Sequence, residues 1–194
     1  MHAEPPTVIL PIALYGNPVL RQAGAPVRRF DPNLRKFAEE MRETMVAHHG
    51  VGLAAQQVGK ALLFAVVDIT AAKAASTMVV GGMPVPVEEQ MPLFLANPVL
   101  SLTKSKEIGN EGCLSFPGLR IDVPRSRRVS VRAQDLHGKP LVFEASGFLA
   151  VVIQHEVDHL YGRLFIDYLK PAQRKEIKEE LIRIQKGLPA GTPD

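Results

Sequence analysis

Apolar positions recur along the chain with two different periods. Leu34, Phe37, Ala38, Met41 and Met45 fall at helical spacing, and Asp31-Pro32 precedes them as an N-cap followed by proline at the first helical position. The spacing predicts an amphipathic helix of about four turns ending near Gly50. Leu62 to Val67 is a continuous apolar run of strand length, and Phe94 to Leu102 holds strand-like pieces around Asn97-Pro98. Val129, Val131 and Ala133 alternate with polar residues, as do Leu141, Phe143 and Ala145. Asp135-Leu136-His137-Gly138 between them predicts a hairpin connection. Residues 70–92 mix Ala, Gly, Pro and Glu with little period, which predicts an exposed insertion or flap. Ser146 to Tyr161 then predicts a second helix, capped by Ser146 and stopped by Gly162. Its Phe148–Ile153 stretch is apolar nearly all round, so this helix is expected to be buried. Pro171 opens a third helix, with Ile177, Leu181, Ile182 and Ile184 on its apolar side. Together the elements predict an α+β fold. Short, mostly antiparallel strands surround a buried central helix, with an amphipathic helix before it and a C-terminal helix after it.

The length of 194 residues suits one domain, residues 1–194, and neither a repeat nor a linker divides it. With 46% apolar and 22% charged residues, the composition is globular. No apolar run approaches the ~20 residues of a membrane span, and the first residues lack the pattern of a secretory or transit segment. The expected compartment is the bacterial cytoplasm. A single cysteine, Cys113, excludes an intramolecular disulfide scaffold. The net charge of +3 is too weak to announce DNA. Basic residues concentrate at Arg120–Arg132 and Lys170–Lys186, where a charged sheet edge and a solvated helix face account for them.

The strongest local signal is His155-Glu156-Val157-Asp158-His159. On a helix, positions i and i+4 share a face, so both imidazoles can meet one ion while Glu156 reaches a water beside it. Two imidazoles and two carboxylates directly after an apolar run are costly to bury without a purpose. A catalytic metal site ordinarily takes three protein ligands. The longer metalloprotease pattern places its third His at 165, where this chain has Phe165. Glu179 downstream and Cys113 in its Gly- and Pro-bounded turn are the remaining candidates, and a thiolate with two imidazoles suits zinc or ferrous iron.

Three segments resemble the peptide deformylases. They are Gly50-Val51-Gly52-Leu53-Ala54-Ala55-Gln56-Gln57, Glu111-Gly112-Cys113-Leu114-Ser115 and Gln154-His155-Glu156-Val157-Asp158-His159-Leu160. They match the patterns G-x-G-L-A-A-x-Q, E-G-C-L-S and Q-H-E-x-D-H in the family's order. The resemblance implies removal of the formyl group from N-terminal formylmethionine of nascent peptides. Carried over by position, it implies Cys113, His155 and His159 as ligands of one divalent metal, natively Fe(2+), with Zn(2+), Ni(2+) or Co(2+) able to replace it. A bound metal lowers the pKa of its water to about 7, so hydroxide is available near neutral pH. Glu156 is then the implied general base and acid. The Gln57 side-chain amide and the Leu114 backbone N–H are the implied donors to the oxyanion. The resemblance also gives Gly52 a place in pairing with an extended peptide. It places Val51, Phe148 and Val151 around the methionine pocket, and Arg120 near the outer part of the peptide. Gly109 stands where some relatives carry a larger apolar residue, which predicts a wider or differently closed pocket mouth. Glu111 and Arg125 are expected to steady the Cys113 turn, and the basic C-terminal helix is a candidate for docking on the ribosome. His48 and His49 are read as helix-end residues.

Overall fold

The computed structural model describes residues 8–188. Helix α1 runs Pro32–Ala47. The Asp31 carboxylate caps it, accepting from the N–H groups of Asn33 and Leu34 at 3.1 and 3.2 Å. Its buried face, Leu34, Phe37, Ala38, Met41 and Met45, packs on Leu53, Phe64, Val66 and Ala96. The helix stops as expected, with His48 at its C-cap and His49 turned into the left-handed region at φ 55°.

The strands are β1 (Gly52–Ala54), β2 (Phe64–Val67), β3 (Ser76–Val80), β4 (Met83–Val85), β5 (Leu93–Leu102), β6 (Lys106–Cys113), β7 (Phe116–Ser126), β8 (Arg128–Gln134) and β9 (Pro140–Gly147). Seven form one antiparallel sheet in the order β1-β2-β5-β8-β9-β3-β4, and β6 and β7 form a separate hairpin. The Asp135–Gly138 turn joins β8 to β9, as its sequence predicts, with the Asp135 N–H donating to Lys139 O at 2.9 Å. In β5 the pairing slips between Ala96 and Val99, where Asn97 takes φ 52° and its side chain bonds both the N–H and the C=O of Val27.

Residues 70–92 are largely exposed, as expected of an insertion, but they pair into the sheet and do not form a separate flap. β3 and β4 form a hairpin through Gly81 and Gly82, both at positive φ, the backbone that favours a tight two-residue connection. β3 pairs with β9 from Ser76↔Gly147 to Val79↔Glu144, so the segment widens the sheet. Met78 and Val87 are buried with Leu149 and Ile153 in the largest apolar cluster. Burying such side chains contributes about 1.5–3 kcal/mol each.

The central helix α2 spans Phe148–Leu160, and every residue from Leu149 to Leu160 is buried. It starts two residues after the expected cap. Ser146 belongs to β9, and Gly147, at φ 68°, turns strand into helix. The first helical N–H groups are satisfied by the preceding hairpin. Phe148 donates to Ala75 O at 3.1 Å and Leu149 to Ser76 Oγ at 3.0 Å. Gly162, at φ 71°, follows the helix end as expected. A 3-10 turn, Phe165–Tyr168, leads on to α3 (Pro171–Glu176) and α4 (Lys178–Gln185), so the expected single third helix is broken at Ile177. Leu181 and Ile184 are buried, whereas Ile182 is exposed, a departure from the expected apolar stripe. Among the described residues, no helix is long and apolar enough to cross a membrane.

Candidate active site

His155 and His159 lie one turn apart on α2, and Cys113 ends β6 where a register shift closes the hairpin onto Phe116. Their ligand atoms all lie within 4.8 Å of one another. Cys113 Sγ is 3.2 Å from His159 Nε2. His155 Nδ1 is 2.8 Å from Glu111 Oε2; a carboxylate only accepts, so this ring nitrogen carries the proton and Nε2 remains as the ligand atom. A soft thiolate and two imidazoles at this spacing fit one zinc- or iron-type ion. Glu179 is exposed on α4 and takes no part in this cluster.

Electrostatics distinguish the two imidazoles. With no ion bound, burial disfavours charge on His155, but Cys113 and Glu111 beside it outweigh burial and lift its pKa well above the ordinary value; an ion held at Nε2 would take the place of that second proton. At His159, burial and the positive charges of His155, Arg125 and Arg21 act together and push the pKa well down, which favours the neutral ring. Glu156 is buried beside them, and desolvation raises its carboxyl to about 7. Its Oε2 has no hydrogen-bond partner among the described residues. A buried carboxyl with a free oxygen and a pKa near neutrality suits a group that takes and returns a proton.

The glycine-rich segment supplies the facing wall. Gln57 is buried in the turn after β1, and its Oε1 accepts from the Ala54 N–H at 2.8 Å. That bond fixes the amide so that Nε2 faces Cys113 Sγ at 3.5 Å and Ser115 Oγ at 3.4 Å. Leu114 follows Cys113 in the same turn. Gly52 leaves room for Glu156, since a Cβ there would stand 2.7 Å from Glu156 Cδ and 2.8 Å from Cγ. β1 is also an edge strand of the main sheet.

The pocket residues divide between two places. Val51 and Phe148 pack on the cluster of Leu149, Ile153 and Val157. Val151 instead faces β6, its Cγ1 lying 3.3 Å from where a Gly109 Cβ would stand. Val151 therefore occupies the space beside Gly109 that a larger residue there would take. Arg120 lies out along β7, with Nε and Nη2 donating to the Oδ1 and backbone O of Asn110, each at 2.7 Å.

Arg125 holds the ligand support, and it is almost completely buried. It meets Glu111 through Nε at 2.6 Å and Nη2 at 2.9 Å, and Asp158 through Nη1 at 2.5 Å. Burial alone would raise the Glu111 carboxyl, but hydrogen bonds from Arg125 and His155 hold it below the ordinary range. Sequence reasoning gave no role to Asp158, although a second carboxylate on an otherwise apolar helix was the available signal. It also missed Gln154, whose amide bonds both the N–H and the C=O of Ser126 at 2.9 Å and ties α2 to β7.

The polypeptide deformylase family model matches residues 9–175. The chain belongs to that family. A peptide deformylase of Methylacidiphilum infernorum is 59% identical over 180 residues, covering 93% of this chain and 95% of its own length. One from Opitutus terrae is 41% identical over 91% of this chain and 93% of its own. The crystal structure of the peptide deformylase from Thermus thermophilus aligns with a TM-score of 0.78 at 38% identity, covering 92% of this chain and 99% of that one. Deformylases are metal-dependent hydrolases, and deformylation of nascent polypeptides is the family's function.

Proposed function

We propose that this chain, as one catalytic domain, hydrolyses the formyl amide of N-terminal formylmethionine on nascent peptides, releasing formate and a free amine. The observation that carries the reading is the meeting of Cys113, His155 and His159 beside buried Glu156 with its unpartnered oxygen. These three residues would hold one divalent ion, Fe(2+) in the cell, with Zn(2+), Ni(2+) or Co(2+) as replacements. The ion supplies Lewis acidity, acidifying water and polarising the formyl oxygen.

The remaining chemistry belongs to the chain. Glu156, with a carboxyl near 7, takes a proton from the attacking water. As the C–N bond breaks, it returns that proton to the amine. The Gln57 amide, pinned by Ala54, donates to the oxygen as charge develops on it, joined by the Leu114 N–H. Gly52 on the edge strand pairs with the peptide backbone. Val51 and Phe148 would line one side of the methionine side chain and Val151 the side toward β6, and Arg120 meets the peptide further out. Arg174, Lys175 and Lys178 on the last two helices favour contact with ribosomal phosphates in a bacterial cytoplasm.

The test is formate release from formyl-Met-Ala-Ser by anaerobic, iron-loaded protein. Glu156→Ala is expected to abolish release at equal metal content, and Cys113→Ser to lose the metal. Unchanged turnover by Glu156→Ala overturns the assignment of the base.

A further inference from the structure

The 3-10 turn Phe165–Tyr168 touches a metal ligand at its first end and the support of that ligand at its last. Residues i and i+3 of a 3-10 turn eclipse one another, so Phe165 and Tyr168 face the same way. The Phe165 ring packs edge-on against the His155 ring, with centroids 5.7 Å apart. Tyr168 reaches the same imidazole by a longer route. Its hydroxyl donates to Asp158 Oδ2 at 2.8 Å and accepts from Arg125 Nη1 at 3.2 Å, and its ring lies 4.7 Å from the guanidinium carbon. Arg125 holds Glu111 with two bonds, and Glu111 holds His155 Nδ1.

We propose that Tyr168 is a positioning residue for the ligand His155, acting through Asp158, Arg125 and Glu111. The reasoning rests on the assignment of His155 as a metal ligand. Asp158 Oδ2 takes one bond from Arg125 and one from Tyr168, closing a three-membered ring of hydrogen bonds around Arg125 Nη1. That ring fixes the plane of the guanidinium. The plane fixes the two Glu111 oxygens, and one of those oxygens sets the rotation of the imidazole. Arg163 reaches only the other oxygen of Asp158, at 3.6 Å and from solvent, so it cannot replace the tyrosine hydroxyl. Tyr168 is itself exposed and forms the outer cover over a nearly buried Arg125, so a merely space-filling role would need the ring and not the hydroxyl.

Tyr168→Phe separates the two, because it keeps the ring over Arg125 and removes only the hydroxyl. The readouts are the rate at which cobalt-loaded protein gives up its metal to excess chelator, the visible cobalt spectrum, and the thermal midpoint of the metal-free protein. Partners that orient a metal ligand typically change affinity by about 10- to 100-fold when lost. The expected result at this outer link is release about tenfold faster and a shifted cobalt spectrum, with the metal-free midpoint lowered by no more than the roughly 2–4 °C that losing the hydroxyl's hydrogen bonds costs in a chain of this size. In a Glu111→Gln background, where the route is already cut, the same substitution is expected to add nothing. Release at the parental rate with the parental spectrum overturns the proposal, as does an equal acceleration in the Glu111→Gln background. A parent protein that takes up no cobalt overturns the ligand assignment itself, and this inference with it.

Discussion

Gly52 and Glu156 compete for the same space: a single methyl group added to Gly52 would lie against the Glu156 carboxylate. The glycine therefore does more than leave the backbone free to meet a peptide. It lets the base lie flat against the edge strand. Gly52→Ala must push Glu156 aside, and a shift of about 1 Å at a reacting group can cost about 100-fold in rate. The expected outcome is that loss in kcat for formyl-Met-Ala-Ser with metal content unchanged. A variant with parental kcat would show that the carboxylate tolerates displacement.

Gln57 is held firmly at its oxygen and only by long bonds at its nitrogen. The Ala54 N–H fixes its oxygen, and its nitrogen is left facing the Cys113 turn at 3.4–3.5 Å. If that nitrogen donates to the developing oxyanion, Gln57→Ala lowers kcat by about 100- to 1000-fold with little change in KM. Steady-state formate release measures both constants. A rise in KM alone would make Gln57 a binding residue.

Much of this site was legible before the fold was known, for a local reason. The His155–His159 spacing is a property of a helix turn, whereas Cys113 is one of two candidates and Gln57 has no role until their segments are matched to the family's patterns. What was not legible depends on contacts distant in sequence. Ser76 and Leu149 lie 73 residues apart, and neither segment predicts the other. The β3–β4 hairpin escaped notice because only Met78 is buried in β3, so no alternation shows. Ser146 resembled a helix cap because its own sequence suits one, yet pairing with β3 draws it into the sheet. Asp158 and Tyr168 acquire meaning only when β7 brings Arg125 between them.

The hairpin's part in the central helix can be measured. α2 has no side-chain cap of its own, and Ser76 Oγ accepts the Leu149 N–H in place of one. Losing such a cap costs about 1 kcal/mol. In a chain of this size that lowers the unfolding midpoint by roughly 2–4 °C. Ser76→Ala is expected to show this shift in thermal unfolding while formate release at room temperature is unchanged. An unchanged midpoint would mean that water serves the helix end equally well.

The pair Arg21–Asp167 predicts a pH dependence of stability. Arg21 donates to both Asp167 oxygens, at 2.5 and 2.9 Å, and the Leu164 N–H donates to the same carboxylate at 2.9 Å. Burial on its own would raise the Asp167 carboxyl, but the hydrogen bonds from Arg21 and Leu164 outweigh it and hold the pKa below the ordinary range. A carboxyl depressed in the folded state stabilises above its unfolded pKa, about 3.9, and that stability is lost as pH falls through the folded value. The side chains are 40% and 30% exposed, so solvent screening limits the pair to about 1 kcal/mol or less. Arg21→Met removes the charge and keeps most of the stem. Urea unfolding at pH 7 is expected to show the variant less stable by up to that amount, and the difference from the parent is expected to shrink as the pH is taken below about 4. A difference that stays constant across that range would assign the loss to the bond from Arg21 to Gly162 O, which does not titrate, instead of to Asp167.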